Sequence, residues 1–245
     1  MKKKTLLSWS SGKDSAWALH ILRQQPDVEV VGLFCTINQE VERVVMHEVR
    51  VELIHQQSQN VGLPIQLISI PRPCSSSEYG TIMKSFVEQA KQQGIECFAF
   101  GDLFLEDVRM YREAKLADTG ITPIFPLWGM PTEKLSKEMV RSGLRAIITC
   151  VDPKHLPSDF AGQEYGESFL ERLPANIDPC GEYGEFHSFA FDGPMFNKPV
   201  NISIGETVSR DGFIFTDVLP EQHLTTGSSG LPTVALAPGL LWVAT

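Results

Sequence analysis

Six consecutive residues, Ser10-Ser11-Gly12-Lys13-Asp14-Ser15, concentrate the chemistry of an anion site. Gly12 lets the backbone approach a ligand closely. Lys13 brings a cation, and three hydroxyls together with the loop amides can hydrogen-bond phosphate oxygens. Lys13 is expected to pack little, as a loop lysine does. Asp14 is an odd neighbour for phosphate unless it helps to hold Mg²⁺, which makes it a candidate metal ligand. The bland alternative is a serine-rich turn in which Asp14 caps the following helix. Position argues against that alternative. The short apolar strand Thr5–Trp9 precedes the six residues, and a helical pattern over Ser15–Gln24 follows them. A strand-to-helix turn is where a doubly wound sheet holds phosphate, at the positive end of the helix dipole. The spacing is neither GxxxxGK[ST] nor GxGxxG.

Further groups of residues could serve the same site. Gly101-Asp102 ends the fourth strand pattern, and in the common doubly wound order strands one and four flank the ligand crevice. Asp102 is therefore expected opposite the loop, binding Mg²⁺ or a substrate group, with a helix cap as the alternative. Met46-His47 and Arg50 open the second helix pattern. Arg109 and Arg112 lie in the fourth, where a surface ion pair between Glu106 and Arg109 explains the charges equally well. Asp178 to Ser188 is the densest polar stretch. Its Glu182, Gly184, Glu185, His187 and Ser188, set before an apolar strand, suggest a shaped loop that contacts a polar substrate. An ordinary solvated turn is the competing reading.

The elements that must position these residues follow from periodicity. Strand patterns occupy Val28–Thr36, Ile65–Ile70, Ile95–Gly101 and Ile121–Phe125. Between them, Met46, Val49 and Leu53 fall at helical spacing up to a stop at Gly62. Met83, Phe86, Val87 and Ala90 mark a helix closed by Gly94, and Glu106–Asp118 is helical. The alternation predicts an α/β fold with a doubly wound, Rossmann-like parallel sheet. A helix near Glu133–Ser142, a strand at Ala146–Val151, a helix near Gly166–Leu173 and short strands at Val200–Ile204 and Phe213–Asp217 predict a smaller C-terminal α+β domain. The expected division is 1–128, 129–223 and an uncharged tail, 224–245.

The 245 residues are 42% hydrophobic and 21% charged, enough for a substantial core, and the net charge is −9. An acidic chain lacks the footprint for gripping a phosphate backbone, so nucleic acid is disfavoured as a partner. The five cysteines stand singly, without a CxxC pair, which fits a reducing cytoplasm and argues against a zinc ribbon. The apolar run after the basic start is too short for an export signal, and no stretch is long enough to span a membrane. Homo-oligomerisation is left open.

Ser10–Ser15 resembles the S-x-G-K-D-S signature of the PP-loop ATP pyrophosphatases. With Met46-His47, Arg50, Gly101-Asp102, Arg109, Phe125-Pro126-Leu127-Trp128, Asp178–Ser188 and Phe191-Asp192-Gly193-Pro194 in this order, the chain from about residue 4 to about 217 resembles the diphthine–ammonia ligase-related family of N-type ATP pyrophosphatases. The resemblance implies an adenine nucleotide α-hydrolase-like first domain that binds ATP through Ser10, Ser11, Gly12, Lys13, Asp14, Ser15 and Gly101. Lys13, Asp14 and Asp102 would be catalytic, with Asp14 and Asp102 on Mg²⁺. It implies a substrate pocket near Gly184–Ser188, to which His47, Arg50, Arg109, Glu182, Glu185 and His187 would contribute. The implied reaction adenylates a carboxylate on a small molecule or a modified protein side chain, releases pyrophosphate, and forms an amide with ammonia or an amine. Which of Glu182, Glu185 and His187 takes the proton is open.

Ser11 departs from the more usual glycine, a change expected to be tolerated if the residue avoids positive φ. The Pro-Cys-Gly-Glu-x-Gly-Glu-Phe-His stretch looks like the bacterial branch, without the extra C-terminal domains of eukaryotic members. Two other readings remain. Sulfur transfer to a nucleoside usually implies paired cysteines and an RNA-binding surface. A non-catalytic nucleotide-binding module would not require Lys13, Asp14 and Asp102 together.

Overall fold

The computed structural model describes residues 1–40, 43–44 and 49–221. The first half alternates strand and helix: β1 (Lys3–Ser8), α1 (Lys13–Leu22), β2 (Val28–Asn38), β3 (Arg43–Val44), α2 (Val51–Val61), β4 (Ile65–Ile70), α3 (Ser76–Gln92), β5 (Cys97–Ala99), α4 (Glu106–Leu116) and β6 (Thr122–Ile124). The parallel strands lie in the order β4, β2, β1, β5, β6. β1 and β5 are neighbours, pairing Thr5 with Cys97 and Leu7 with Ala99, so the crevice opens beyond their carboxyl ends as the doubly wound order requires.

Apolar side chains leave this sheet on both faces, as a parallel sheet covered by helices demands. Leu7 and Leu33 pack with Trp17 and Leu19 of α1 and Leu53 of α2. Leu6, Phe34 and Phe98 point to the opposite face and meet Phe86 and Val87 of α3. A capping box starts α3, with Ser75 and Glu78 exchanging hydrogen bonds. Gly62 follows α2 as its cap. The second helix begins later than its spacing suggests. Val44 donates to the Val49 carbonyl at 2.9 Å, and Arg43 bridges Arg50, so Val49 belongs to a short antiparallel return and not to the helix. Met46 lies outside the described residues, as does the expected tail.

The second half holds α5 (Thr132–Arg141), β7 (Arg145–Val151), α6 (Glu167–Arg172), β8 (Phe186–Asp192), β9 (Ile202–Arg210) and β10 (Phe213–Pro220). Its four strands are antiparallel in the order β8, β7, β10, β9. Phe189 and Ile148 of this sheet enter the same buried cluster as Trp17 and Leu7. Ala190 donates to the Ser11 carbonyl at 2.9 Å, so β8 is tied directly to the loop after β1.

Candidate active site

The strand-to-helix loop is held from below by a buried amide. Gln57 of α2 accepts from Trp9 Nε1 at 2.7 Å and donates to the carbonyls of Ser11 (3.0 Å) and Ala190 (2.6 Å). Gln57 was not among the residues singled out above. Its signal is positional, since it shares the buried stripe of Leu53, Ile54 and Val61. A polar residue on an apolar stripe needs partners.

Ser11 corrects an expectation. Its φ is +73°, in the left-handed region that favours glycine. Its hydroxyl is buried without a hydrogen-bond partner and is not part of the cavity lining. Ser10 and Ser15 do line the cavity, and Ser15 Oγ donates to the Gly12 carbonyl at 3.0 Å. Gly12 precedes α1 in extended conformation, and no side chain caps this helix. Asp14 therefore is not a cap.

Lys13 is not an exposed loop lysine. It is 2% exposed, and its ammonium sits 5.2 Å from the ring centre of Phe186 and 5.6 Å from that of Tyr165. Nζ donates to Asp14 Oδ2 at 2.9 Å and to the Cys180 carbonyl. Burial works most strongly against the charge, but Asp14, Cys180 and Glu182 together outweigh it and leave the ammonium pKa above its ordinary value. Burial also pushes the Asp14 carboxyl upward, with Lys13 opposing. Asp14 Oδ1 is buried and unpartnered while the residue lines the cavity. An orphaned carboxylate oxygen beside a phosphate loop fits one protein ligand of Mg²⁺, an ion that commonly takes one or two carboxylates plus phosphates and water. The described residues contain no cluster of three or more side chains that could hold a metal on their own.

Across the crevice, Gly101 approaches the loop so closely that a Cβ would lie 3.1 Å from the Asp14 carbonyl group and the Ser15 nitrogen. A side chain there would force the loop to give by a few tenths of an ångström, so glycine suits the close approach. Asp102 lines the cavity, but both its oxygens accept from Arg112, from Nε at 2.5 Å and Nη2 at 3.0 Å. Its carboxylate is thus less available to a metal than that of Asp14. The helix after it is preceded by Leu105, so Asp102 is not a cap either.

The second polar cluster closes the crevice. Lys13 N donates to Ser188 Oγ at 3.2 Å, and Leu103 N donates to Glu182 Oε1 at 2.8 Å. Glu182, Gly184, His187 and Ser188 all line the cavity, whose volume is about 860 Å³. Gly184 adopts φ +85°, the turn that delivers the chain into β8. Desolvation raises the Glu182 carboxyl to about 7, and burial followed by the Lys13 charge lowers His187 to about 4. Glu185 differs. It is 3% exposed, and its two oxygens accept from the amides of Asp178 (3.2 Å) and Tyr183 (3.0 Å), bracing the loop from outside the cavity lining.

Two expected substrate contacts lie elsewhere. Arg50 and Arg43 both pair with Asp217 of β10. Arg109 pairs with Glu113 at 2.8 Å, not with Glu106, and packs over Phe125 and Trp128 at 5.1 and 4.7 Å. Neither arginine lines the cavity. His47 lies outside the described residues.

Fold and loop together define a doubly wound α/β protein whose first strand-to-helix turn has the make-up of an anion site. Residues 2–122 match the family model described as diphthamide synthase N-terminal domain, and residues 131–217 match the diphthamide synthase C-terminal domain. The chain belongs to the diphthine–ammonia ligase-related family. It is 28% identical to a diphthine–ammonia ligase of Danio rerio over 153 residues, covering 60% of this chain and 59% of the relative. With the enzymes so named of Rattus norvegicus and Homo sapiens the identities are 27% and 26%, each match covering 65% of this chain and 63% of the relative. The chain therefore spans about three fifths of the length of the curated relatives it matches.

Proposed function

We propose that the protein is an ATP-dependent amide ligase of the diphthine–ammonia ligase type. One observation carries the reading: a buried Lys13–Asp14 pair in a strand-to-helix loop is hydrogen-bonded directly to Ser188 of the second polar cluster. Two chemistries are thereby held against one cavity. The loop amides, Ser10, Ser15 and Lys13 take the triphosphate, with Gly101 shaping the floor. Asp14 is the first candidate to hold Mg²⁺, with Asp102 and Arg112 beside it. Mg²⁺ would there neutralise phosphate charge.

The acceptor carboxylate oxygen forms a bond to the α-phosphorus, and the bond to the bridging oxygen of the β-phosphate breaks, releasing pyrophosphate. Lys13 and the loop amides stabilise the charge that develops. The nitrogen of ammonia or an amine then attacks the acyl carbon, AMP departs, and the nitrogen loses a proton. Among the three candidates Glu182 is best suited to accept it. It faces the cavity with a carboxyl poised near neutrality. Glu185 is engaged by backbone amides, and His187 is a weak base.

Residues 1–128 would serve ATP and 129–223 the acceptor. We assign the protein to the cytoplasm on the strength of five free cysteines. The Pro-Cys-Gly-Glu stretch from Pro179 supports the bacterial-type branch. Oxygen-18 in the carboxylate of an accepted substrate should appear in AMP. Label found in phosphate, with none in AMP, would sink the adenylation step.

A further inference from the structure

Gln57 is fully buried on α2 and does not line the cavity. Both its amide hydrogens and its oxygen are nevertheless committed. Oε1 accepts from the indole N–H of Trp9, and Nε2 donates to the carbonyls of Ser11 and Ala190. The orientation of the amide follows from these partners, because a reversed amide would set its oxygen against two carbonyl oxygens. The partners belong to the residue after β1, to the phosphate loop and to β8. One side chain thus joins three segments directly behind the site.

The loop needs such a hold at Ser11. A non-glycine residue at φ +73° persists only where its surroundings fix it. The Ser11 carbonyl accepts from Gln57 Nε2 at 3.0 Å and from Ala190 N at 2.9 Å. The peptide that follows is trans and planar, so the Gly12 N–H points the opposite way, where it donates to Ser10 Oγ at 3.4 Å. The Gly12 carbonyl accepts from Ser15 Oγ at 3.0 Å, and Ser10 Oγ donates to Ser15 Oγ at 3.3 Å. Both hydroxyls line the cavity. A flip of the Ser11–Gly12 peptide would break both hydrogen bonds to the Ser11 carbonyl and carry the Gly12 N–H away from Ser10.

We infer that Gln57 is a positioning residue for the nucleotide. By fixing the Ser11–Gly12 peptide from behind, it sets the hydroxyls of Ser10 and Ser15 where phosphate oxygens meet them. Through the Ala190 carbonyl the same amide ties the loop to β8, the strand that carries Ser188. The inference rests on the reading that the loop takes ATP. A hydrophobic residue would suit the stripe of Leu53, Ile54 and Val61 equally well, but it would leave the Trp9 N–H and the Ala190 carbonyl without the partners they have here.

The test is a mutant cycle read by calorimetric titration of ATP with Mg²⁺ against the full chain. Gln57→Met keeps the length of the side chain and removes the amide, and it should weaken ATP by about tenfold. Ser10→Ala combined with Ser15→Ala should do the same. Because Gln57 acts through these hydroxyls, all three changes together should cost about tenfold in total and not about a hundredfold. Asn60→Ala cuts another tie between α2 and the second half, the 3.0 Å hydrogen bond to the Pro199 carbonyl. It should lower the melting temperature, as Gln57→Met does, and leave ATP affinity at the wild-type value. If Gln57→Met does not fold, Gln57→Glu replaces it, since a carboxyl keeps an acceptor for Trp9 and loses at least one donor. The inference is overturned if the Gln57 variant or the serine variant binds ATP as the wild type does, or if the losses multiply to about a hundredfold. An equal loss in Asn60→Ala would assign the effect to a general loosening of α2 and overturn it too. The two readings fail separately. Coupled losses of ATP affinity, without AMP formation from any carboxylate, remove the ligase reading and leave Gln57 its role. AMP formation with multiplying losses removes that role alone.

Discussion

The backbone amide of Lys13 donates to the hydroxyl of Ser188 at 3.2 Å, joining residues 175 positions apart. The phosphate loop and the second polar cluster are therefore one wall of one site. Lys13 itself is anchored there by Asp14 and the Cys180 carbonyl. Lys13→Ala should cut AMP formation by roughly 10²–10³, the usual cost of one charge-stabilising donor. It should also destabilise the fold by about 3 kcal/mol, because Asp14 is left as a buried, unpaired carboxylate. Thermal melts beside steady-state rates check both effects. A variant that melts like the wild type would show that the buried pair contributes nothing to stability.

Glu182 sets a pH dependence. Its carboxyl rises from 4.5 to about 7, chiefly through desolvation. As a proton acceptor it works only when ionised, so turnover should climb through about pH 7. Glu182→Gln should abolish that limb and lower the plateau by about 10² or more. Stability runs the other way. A folded-state value above the unfolded one favours the folded state when protonated, so this group's contribution falls as pH rises from about 4.5 to about 7 and stays low above it. A rising limb that persists in Glu182→Gln would give the proton to another group.

Much of this was legible in the sequence. The Ser10–Ser15 loop reads well because strand, loop and helix are contiguous. Gly62 and Gly94 mark helix ends by local chemistry alone. What was hidden depends on distant partners. The burial of Lys13 comes from Cys180, Tyr165 and Phe186, all in the second half of the chain. Arg50 reads as a helix-start cation, and only the position of β10 reveals Asp217 beside it. Glu185 and Glu182 look alike in sequence, yet alternation around the Gly184 turn sends one into the loop's own amides and the other into the cavity.

That contrast gives a mutational test. Glu185→Ala removes the acceptor of two backbone amides and should cost about 1–3 kcal/mol of stability. Its loss of acceptor-stimulated AMP formation should then be accompanied by lower thermal stability. His187→Ala should leave ATP affinity and the melting curve nearly intact while reducing acceptor-stimulated turnover. Calorimetric ATP titrations and melts of both variants decide. Loss of ATP binding in His187→Ala would move the histidine into the nucleotide site.

Ser11 should be improvable. Its left-handed φ of +73° and its orphaned buried hydroxyl both work against the folded state. Ser11→Gly should relieve the strain and the unsatisfied group, offset in part by glycine's greater unfolded-state entropy. A net gain of about 1 kcal/mol is expected in chemical denaturation, with ATP affinity unchanged. A destabilised variant would indicate that the hydroxyl has a partner in solution.

The central claim is cleavage of ATP between the α and β phosphates at the Lys13 loop. The direct measurement is chromatography of nucleotides after incubation with ATP, Mg²⁺, ammonium and a mixture of aliphatic and aromatic carboxylates, run beside Lys13→Ala. AMP and pyrophosphate should accumulate in equal amounts with the wild type and fall to near background in the variant. ADP and phosphate formed above the level of Lys13→Ala, without AMP, would contradict the account.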